Sequence, residues 1–298
     1  MHPNVQYPIS EIPRDPDPAG KIDVGALRAW WAVQEHENSD LLELVREVEA
    51  TWPESLPSKS WYIALYATLL TCGKPATIVP IFKHVLTSDG ATEAAIKKLG
   101  DRFKDVLVKS FNIVGIPLPV MALPHLAKAE LAAVASLRPD EGDDATRARL
   151  NAFLSRDAQL SDSWYVCQDT GPAVDQKGFD YMLRVYRHNL PAIMATWGRH
   201  QADFEWLEMR VVYGLFLSDF TVLDPLESEM VVLPEIMAQD ILAPTVWHTR
   251  GFRRLGASEQ DADVLLDTVK KCARWAGKEL KETGGLVAKD VDVEWDPK

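Results

Sequence analysis

The chain is predicted to be all-α, built from two repeats of a helical unit with an added N-terminal arm and helices. Three observations carry this. Apolar residues recur three and four apart through most of the length. Period-two alternation is scarce, with "VAKDVDVEW" near the C-terminus standing alone. Glycine, proline and small polar residues separate the apolar runs at helix-length intervals.

Taken in order, residues 1–22 are proline-rich and read as an irregular arm. Helical spacing starts at Val24 in "VGALRAWWAVQEHENSDLLELVREVEATW" and breaks near Asn38–Ser39, where a second helix is capped. "SKSWYIALYATLLTCG" is a strongly apolar helix closed by Gly73, a residue type suited to helix C-termini. Two further helices lie on either side of Gly90, and "IPLPVMALPHLAKAELAAVASL" starts proline-punctuated and ends helical. These elements make a first helical repeat over 23–137. The acidic, polar stretch 138–162 reads as a linker or excursion. A second repeat over 163–284 holds "FDYMLRVYRHNLPAIMATWGRH", "FEWLEMRVVYGLFLSD", "DPLESEMVVLPEIMAQDI", "ILAPTVWHTRGFRRLGAS" and "DADVLLDTVKKCARWAGKEL". Residues 285–298 are expected to form an exposed tail.

The bulk numbers narrow the function classes. With 298 residues and 47% apolar content the chain can bury a proper core. A net charge of −12 argues against nucleic acid, which needs clustered Lys and Arg. No uninterrupted apolar run is long enough to span a bilayer, and the N-terminus has neither a signal-peptide core nor an arginine-rich transit pattern. A cytoplasmic protein without membrane contact is therefore expected. The three cysteines, Cys72, Cys167 and Cys272, show no CxxC and no zinc spacing, so inert buried thiols are expected, with no metal.

The repeat rests on pattern more than on identity. Pro80–Thr92 lies over Val246–Ser258, which joins Gly90 to Gly256. Downstream, Phe103–Val114 before Gly115 lies over Leu265–Ala276 before Gly277, and upstream "WYIALYATLLTCGKP" lies over "ESEMVVLPEIMAQDI". Two such units packed about a pseudo-twofold axis would share one core, as in a homodimer of a smaller ancestor.

The chemistry concentrates on two neighbouring helices. In "DPLESEMVVL", Glu229 falls where a buried face begins, and a glutamate against an apolar wall needs a partner. His248 lies nineteen residues later, a separation that antiparallel helices can close. Here the chain resembles the carboxymuconolactone decarboxylase and alkyl hydroperoxidase D-like family. That family's motif is Glu, eleven residues, Cys, two residues, Cys, three residues, His. Counting from Glu229 gives Ile241, Pro244 and His248, with a charged helix start before the Glu and a Gly-Ala-Ser turn after the His helix. In the first repeat the same places hold Ile63, Pro75, Ile78 and Phe82.

The resemblance implies an oligomer, a homodimer or trimer, and one site per chain on the second repeat. The departures remove thiol peroxidase chemistry, because neither Ile241 nor Pro244 can become a thiolate. What remains is the cofactor-independent decarboxylase side of the family: proton transfer at a small carboxylated or lactone-like molecule. His248 and Glu229 are the candidate acid–base pair. Arg250 or Arg253 would hold a substrate carboxylate, and Tyr213 and Trp247 would line the pocket. Each has a plainer reading: His248 as an edge-of-core histidine, the arginines as solvated charges, the aromatics as core. A non-catalytic descendant that binds a small molecule or a protein is the competing class, and a residual redox protein using one of the cysteines is the third.

Overall fold

The computed structural model describes residues 17–34, 36–57, 59–156 and 172–294. Among these there are helices and turns and no strand. The α-helices are α1 (Val24–Val33), α2 (Ser39–Thr51), α3 (Trp61–Thr71), α4 (Ile78–Asp89), α5 (Glu93–Ile113), α6 (Pro117–Ser136), α7 (Asp143–Arg156), α8 (Pro172–Tyr186), α9 (Leu190–Ala195) and α10 (Gln201–Trp206). A π-helix over Leu207–Leu217 continues α10, and α11 (Pro225–Ala238), α12 (Leu242–Arg254) and α13 (Glu259–Trp275) follow.

Two helices form the centre. In α3 every residue from Trp61 to Leu70 is buried, and in α11 every residue from Glu227 to Ala238 is buried. A helix that is covered on all sides belongs inside a larger core, which accounts for the unbroken apolar character of "WYIALYATLL". α3 and α11 pack on each other. α13 packs on α3, and α5 packs on α11. The order α3–α4–α5 is thus matched by α11–α12–α13, and the turns agree: Gly90 and Gly256 both take positive φ, as do Gly115 and Gly277. Thr92 and Ser258 cap the helices that follow, their side chains accepting from Ala95 N and Asp261 N.

Three sequence expectations differ from the structure. The proline-punctuated start of α6 is helical from Pro117, because a proline in the first turn gives up no intrahelical bond; Pro124 lies further inside. α6 is also the one described helix long and apolar enough to cross a membrane by length and composition; it packs against α1, α4 and α5. The stretch read as a linker contains α7, whose Arg149 is paired with Glu141 at 2.5 Å. The tail expected to be exposed is docked as far as it is described, with Ala288 and Val291 buried.

Candidate functional site

α11 begins with a capping box. The Asp224 carboxylate accepts from Glu227 N at 2.8 Å, and the Glu227 carboxylate accepts from Asp224 N at 3.2 Å. This fixes the first turn and sends Glu229 inward. The chain reverses after Gln239 through Asp240, which has positive φ, and α12 returns alongside α11. The return brings His248 Nδ1 to 2.5 Å from Glu229 Oε1, with both residues buried, at 5% and 1% exposure. Tyr181 donates to the Pro225 carbonyl at 3.1 Å and stands 3.4 Å from Glu229 Oε2.

The other imidazole nitrogen is also partnered. His248 Nε2 lies 3.0 Å from the Tyr186 hydroxyl, which lies 2.7 Å from the Tyr213 hydroxyl. An ionised carboxylate only accepts, so Nδ1 carries the hydrogen toward Glu229. In the neutral imidazole Nε2 then accepts from Tyr186, and Tyr186 accepts from Tyr213. The result is one continuous chain from Glu229 through His248 and Tyr186 to Tyr213. Burial pushes all three phenols, Tyr181, Tyr186 and Tyr213, above the usual tyrosine range, so they stay protonated.

Two close approaches put the tyrosines there. α8 lies against the π-helix at Gly178 and Gly214, where a Cβ on Gly178 would fall 1.9 Å from the Met209 carbonyl oxygen. It lies against α12 at Gly251, where a Cβ would fall 2.4 Å from Val185 Cγ1. Glycine at these positions lets α8 carry Tyr181 and Tyr186 up to Tyr213 and His248.

Next to this chain is a cavity of about 170 Å³. It is lined by the apolar Met182, Leu190 and Ile193, the aromatic Tyr186, Trp197 and Trp247, and Glu208. His248 does not line it; Tyr186 stands between. Burial pushes the Glu208 carboxyl above the usual range, and the proximity of His248 opposes that shift.

The residues proposed from sequence divide as follows. Glu229 and His248 meet. Trp247 lines the cavity, while Tyr213 reaches it only through Tyr186. Arg250 and Arg253 do not line it. Arg250 Nε donates to the Asp292 carbonyl at 2.7 Å, and Arg253 donates to the Val291 carbonyl at 3.2 Å and pairs with Glu259 at 3.3 Å. Arg254 does likewise: it donates to the Val293 carbonyl at 2.7 Å, to the Tyr186 carbonyl at 2.6 Å and to Asn189 Oδ1 at 2.7 Å. The arginines therefore hold the tail, and Arg254 holds the end of α8. No substrate carboxylate meets a free guanidinium of Arg250 or Arg253 in this cavity.

The sequence reading passed over Tyr186, Tyr181 and Glu208. Two tyrosines in the apolar run "FDYMLRVYRHNL" were the available signal, since a buried phenol needs a partner. Glu208 had none, because its placement depends on the π winding. Ile241 caps α12 at the surface. In the first repeat Ile63 and Phe82 are fully buried apolar residues. Burial pushes the Cys72 and Cys272 thiols upward, away from thiolate chemistry; Cys167 lies outside the described residues. Among the described residues no group of three or more His, Cys, Asp or Glu is placed to hold a metal ion.

The chain was compared with known proteins. No protein-family model matches it, and no solved structure matches it. Over 215 residues it is 21% identical to "Peroxisomal protein 2" of Schizosaccharomyces pombe, a stretch covering 71% of this chain and 86% of that protein.

Proposed function

We propose that the protein is a cofactor-independent proton-transfer enzyme, a decarboxylase or a related isomerase, dehydratase or cyclase, whose working group is the Glu229–His248–Tyr186 relay. The observation that carries this is the unbroken hydrogen-bond chain from a buried carboxylate to a phenol on a cavity wall. Glu229 holds the imidazole in one tautomer. His248 exchanges a proton with Tyr186 across their hydrogen bond. A proton leaving the substrate carbon passes to the Tyr186 oxygen as the Tyr186 hydrogen, held there by burial in the resting protein, passes to His248 Nε2; the reverse transfer delivers a proton to the carbon that loses CO₂ and leaves Tyr186 protonated again. The substrate is a small carboxylated or lactone-like molecule. Because neither Arg250 nor Arg253 reaches the cavity, its reacting oxygen is met by the phenol and not by a guanidinium.

The test begins with depletion of compounds from a metabolite extract, read by mass spectrometry. On a compound so found, His248→Ala and Tyr186→Phe each lower turnover by about two orders of magnitude or more. Full turnover in His248→Ala refutes the relay. A second reading, a binding protein without turnover, draws on Tyr186 shielding His248 from the cavity; it predicts a compound retained and not consumed.

The reciprocal packing of α3–α4–α5 and α11–α12–α13 supports an internal duplication and with it the family resemblance; the homodimer or trimer rests on that resemblance alone, and the duplication offers the alternative that one chain meets the same need by itself. The cytoplasmic placement is proposed beside the peroxisomal name of the similar S. pombe protein. Imaging of a tagged chain decides between the two.

A further inference from the structure

The cavity beside Tyr186 has a composition that the relay does not use. Glu208 presents a carboxyl there that makes no hydrogen bond or ion pair among the described residues. Trp197, Trp247 and Tyr186 line the same space, with Met182, Leu190 and Ile193. Trp197 is itself braced by Phe204, with ring centroids 6.0 Å apart. Among the described residues no lysine or arginine lines the cavity. Arg254 is committed to the backbone of α8 and the tail, Arg187 to Glu294 at 3.1 Å, and His248, whose proximity opposes the upward shift of Glu208, to Glu229 and Tyr186.

Such a wall discriminates by charge. Ring faces attract a cation through their quadrupole, most strongly where water is excluded. A desolvated carboxylate adds direct attraction. An organic anion meets only repulsion from Glu208 and finds no guanidinium. A volume of about 170 Å³ holds roughly five or six water-sized groups, enough for a trimethylammonium head and a short stem.

The geometry points to a ligand that carries an alkylammonium group, seated between Trp197 and Trp247 against Glu208, with its oxygen-bearing end toward Tyr186. This narrows the proposed function to its lactone-like substrates, and so to isomerase, dehydratase or cyclase chemistry in place of decarboxylation, and rests on taking this cavity as its site. The ammonium fixes the ligand's orientation, and the relay acts on the other end. An amine-bearing lactone or ketone fits this description; a dicarboxylic acid does not.

The experiment is calorimetric titration of the full-length protein with three probes of one shape: choline, its neutral isostere 3,3-dimethylbutan-1-ol, and the anion 3,3-dimethylbutanoate. Choline is expected to bind at least about tenfold more tightly than the neutral isostere, with no binding of the anion. Glu208→Gln is expected to erase most of that preference, and Trp247→Leu to weaken choline about tenfold. Tyr186→Phe keeps the ring face and so keeps choline binding while removing the hydroxyl on which turnover depends. Choline binding retained in a Tyr186→Phe protein that still turns over would sink the relay and leave the cation site standing. Equal affinity for choline and the neutral isostere on the unaltered protein, or preference for the anion, overturns the cation site whatever the variants do.

Discussion

The energetics of the Glu229–His248 pair can be tested with a template that the chain itself carries. The proposed duplication sets Ile63 and Phe82 of the first helical triplet against these residues, and both are fully buried. His248→Phe leaves the Glu229 carboxylate at 1% exposure, with only the Tyr181 hydroxyl at 3.4 Å nearby. Breaking one half of a buried charged pair costs about 3–5 kcal/mol. Glu229→Ile leaves a neutral imidazole with one unpaired N–H, a cost of about 1–3 kcal/mol. In the double variant no carboxylate is stranded. Tyr186 loses His248 and keeps Tyr213 at 2.7 Å, so the net loss is about 1–2 kcal/mol. The double variant should therefore be more stable than His248→Phe alone, with a coupling energy of about 4–5 kcal/mol. Urea unfolding followed by tryptophan fluorescence reads all four proteins, with unchanged m-values as the check that they unfold alike. Single-variant losses that add to the double within about 0.5 kcal/mol would refute a coupled buried pair.

Other outcomes follow from neighbouring groups. Glu235 is fully buried on α11; its Oε1 accepts from Ser110 Oγ at 2.5 Å, its Oε2 has no hydrogen-bond partner among the described residues, and burial pushes its carboxyl well above the usual range. A folded-state value above the unfolded one means the fold favours the protonated form. Its contribution is full below the ordinary carboxyl range and is lost as pH rises through the raised value. Glu235→Gln should leave Tm nearly unchanged in acid and raise it in alkaline solution, by roughly 2–4 °C for each kcal/mol gained; a scan of Tm against pH that shows parallel curves contradicts this. Gly178→Ala forces α8 off the π-helix, and should cost about 1–3 kcal/mol and flatten the near-ultraviolet signal of the tyrosine cluster. Arg254→Ala should release the tail to limited proteolysis, and Arg254→Lys should not restore it, since one ammonium cannot span carbonyls on α8 and on the tail; a tail as resistant in either variant as in the unaltered protein counts against the clamp.

The parts of this molecule that could be read from the sequence are those set by local rules. The all-helical class follows from apolar spacing, the break near Asn38–Ser39 from turn residues, and the start of α11 from Asp224–Pro225. Glu229 and His248 were legible as partners because a carboxylate in an apolar run demands one, and α12 is the next element. What escaped depended on winding or on distant chain. In an α-helix residues five apart point about 140° away from each other, so Glu208 and Tyr213 read as facing opposite ways. The π-helix brings them toward one side. The arginines of α12 looked like a cationic face open to a substrate, and their partners are backbone carbonyls about forty residues downstream, which no side-chain pattern announces. Pro117 looked like a break and is a first-turn residue.

The two helical triplets pack reciprocally yet differ at the point where chemistry would sit, and the difference has a physical logic. Ile63 and Phe82 fill their positions with apolar volume, which stabilises the core and asks for no partner. Glu229 and His248 occupy the matching positions as a buried polar pair, which is weak evidence for stability because its desolvation cost offsets its attraction. The polar version also demands Tyr186, Tyr181 and Tyr213 around it, and these in turn require the glycines at 178, 214 and 251 for α8 to come close enough. A fold that already holds the cheaper apolar solution in one half has no packing reason to assemble this set in the other. The set ends at a cavity wall, on Tyr186, beside Glu208 and two indoles. The elements that would be unnecessary for folding are therefore the ones that converge on a space large enough for a small molecule, and that convergence is what sets the His248 side apart from the Phe82 side.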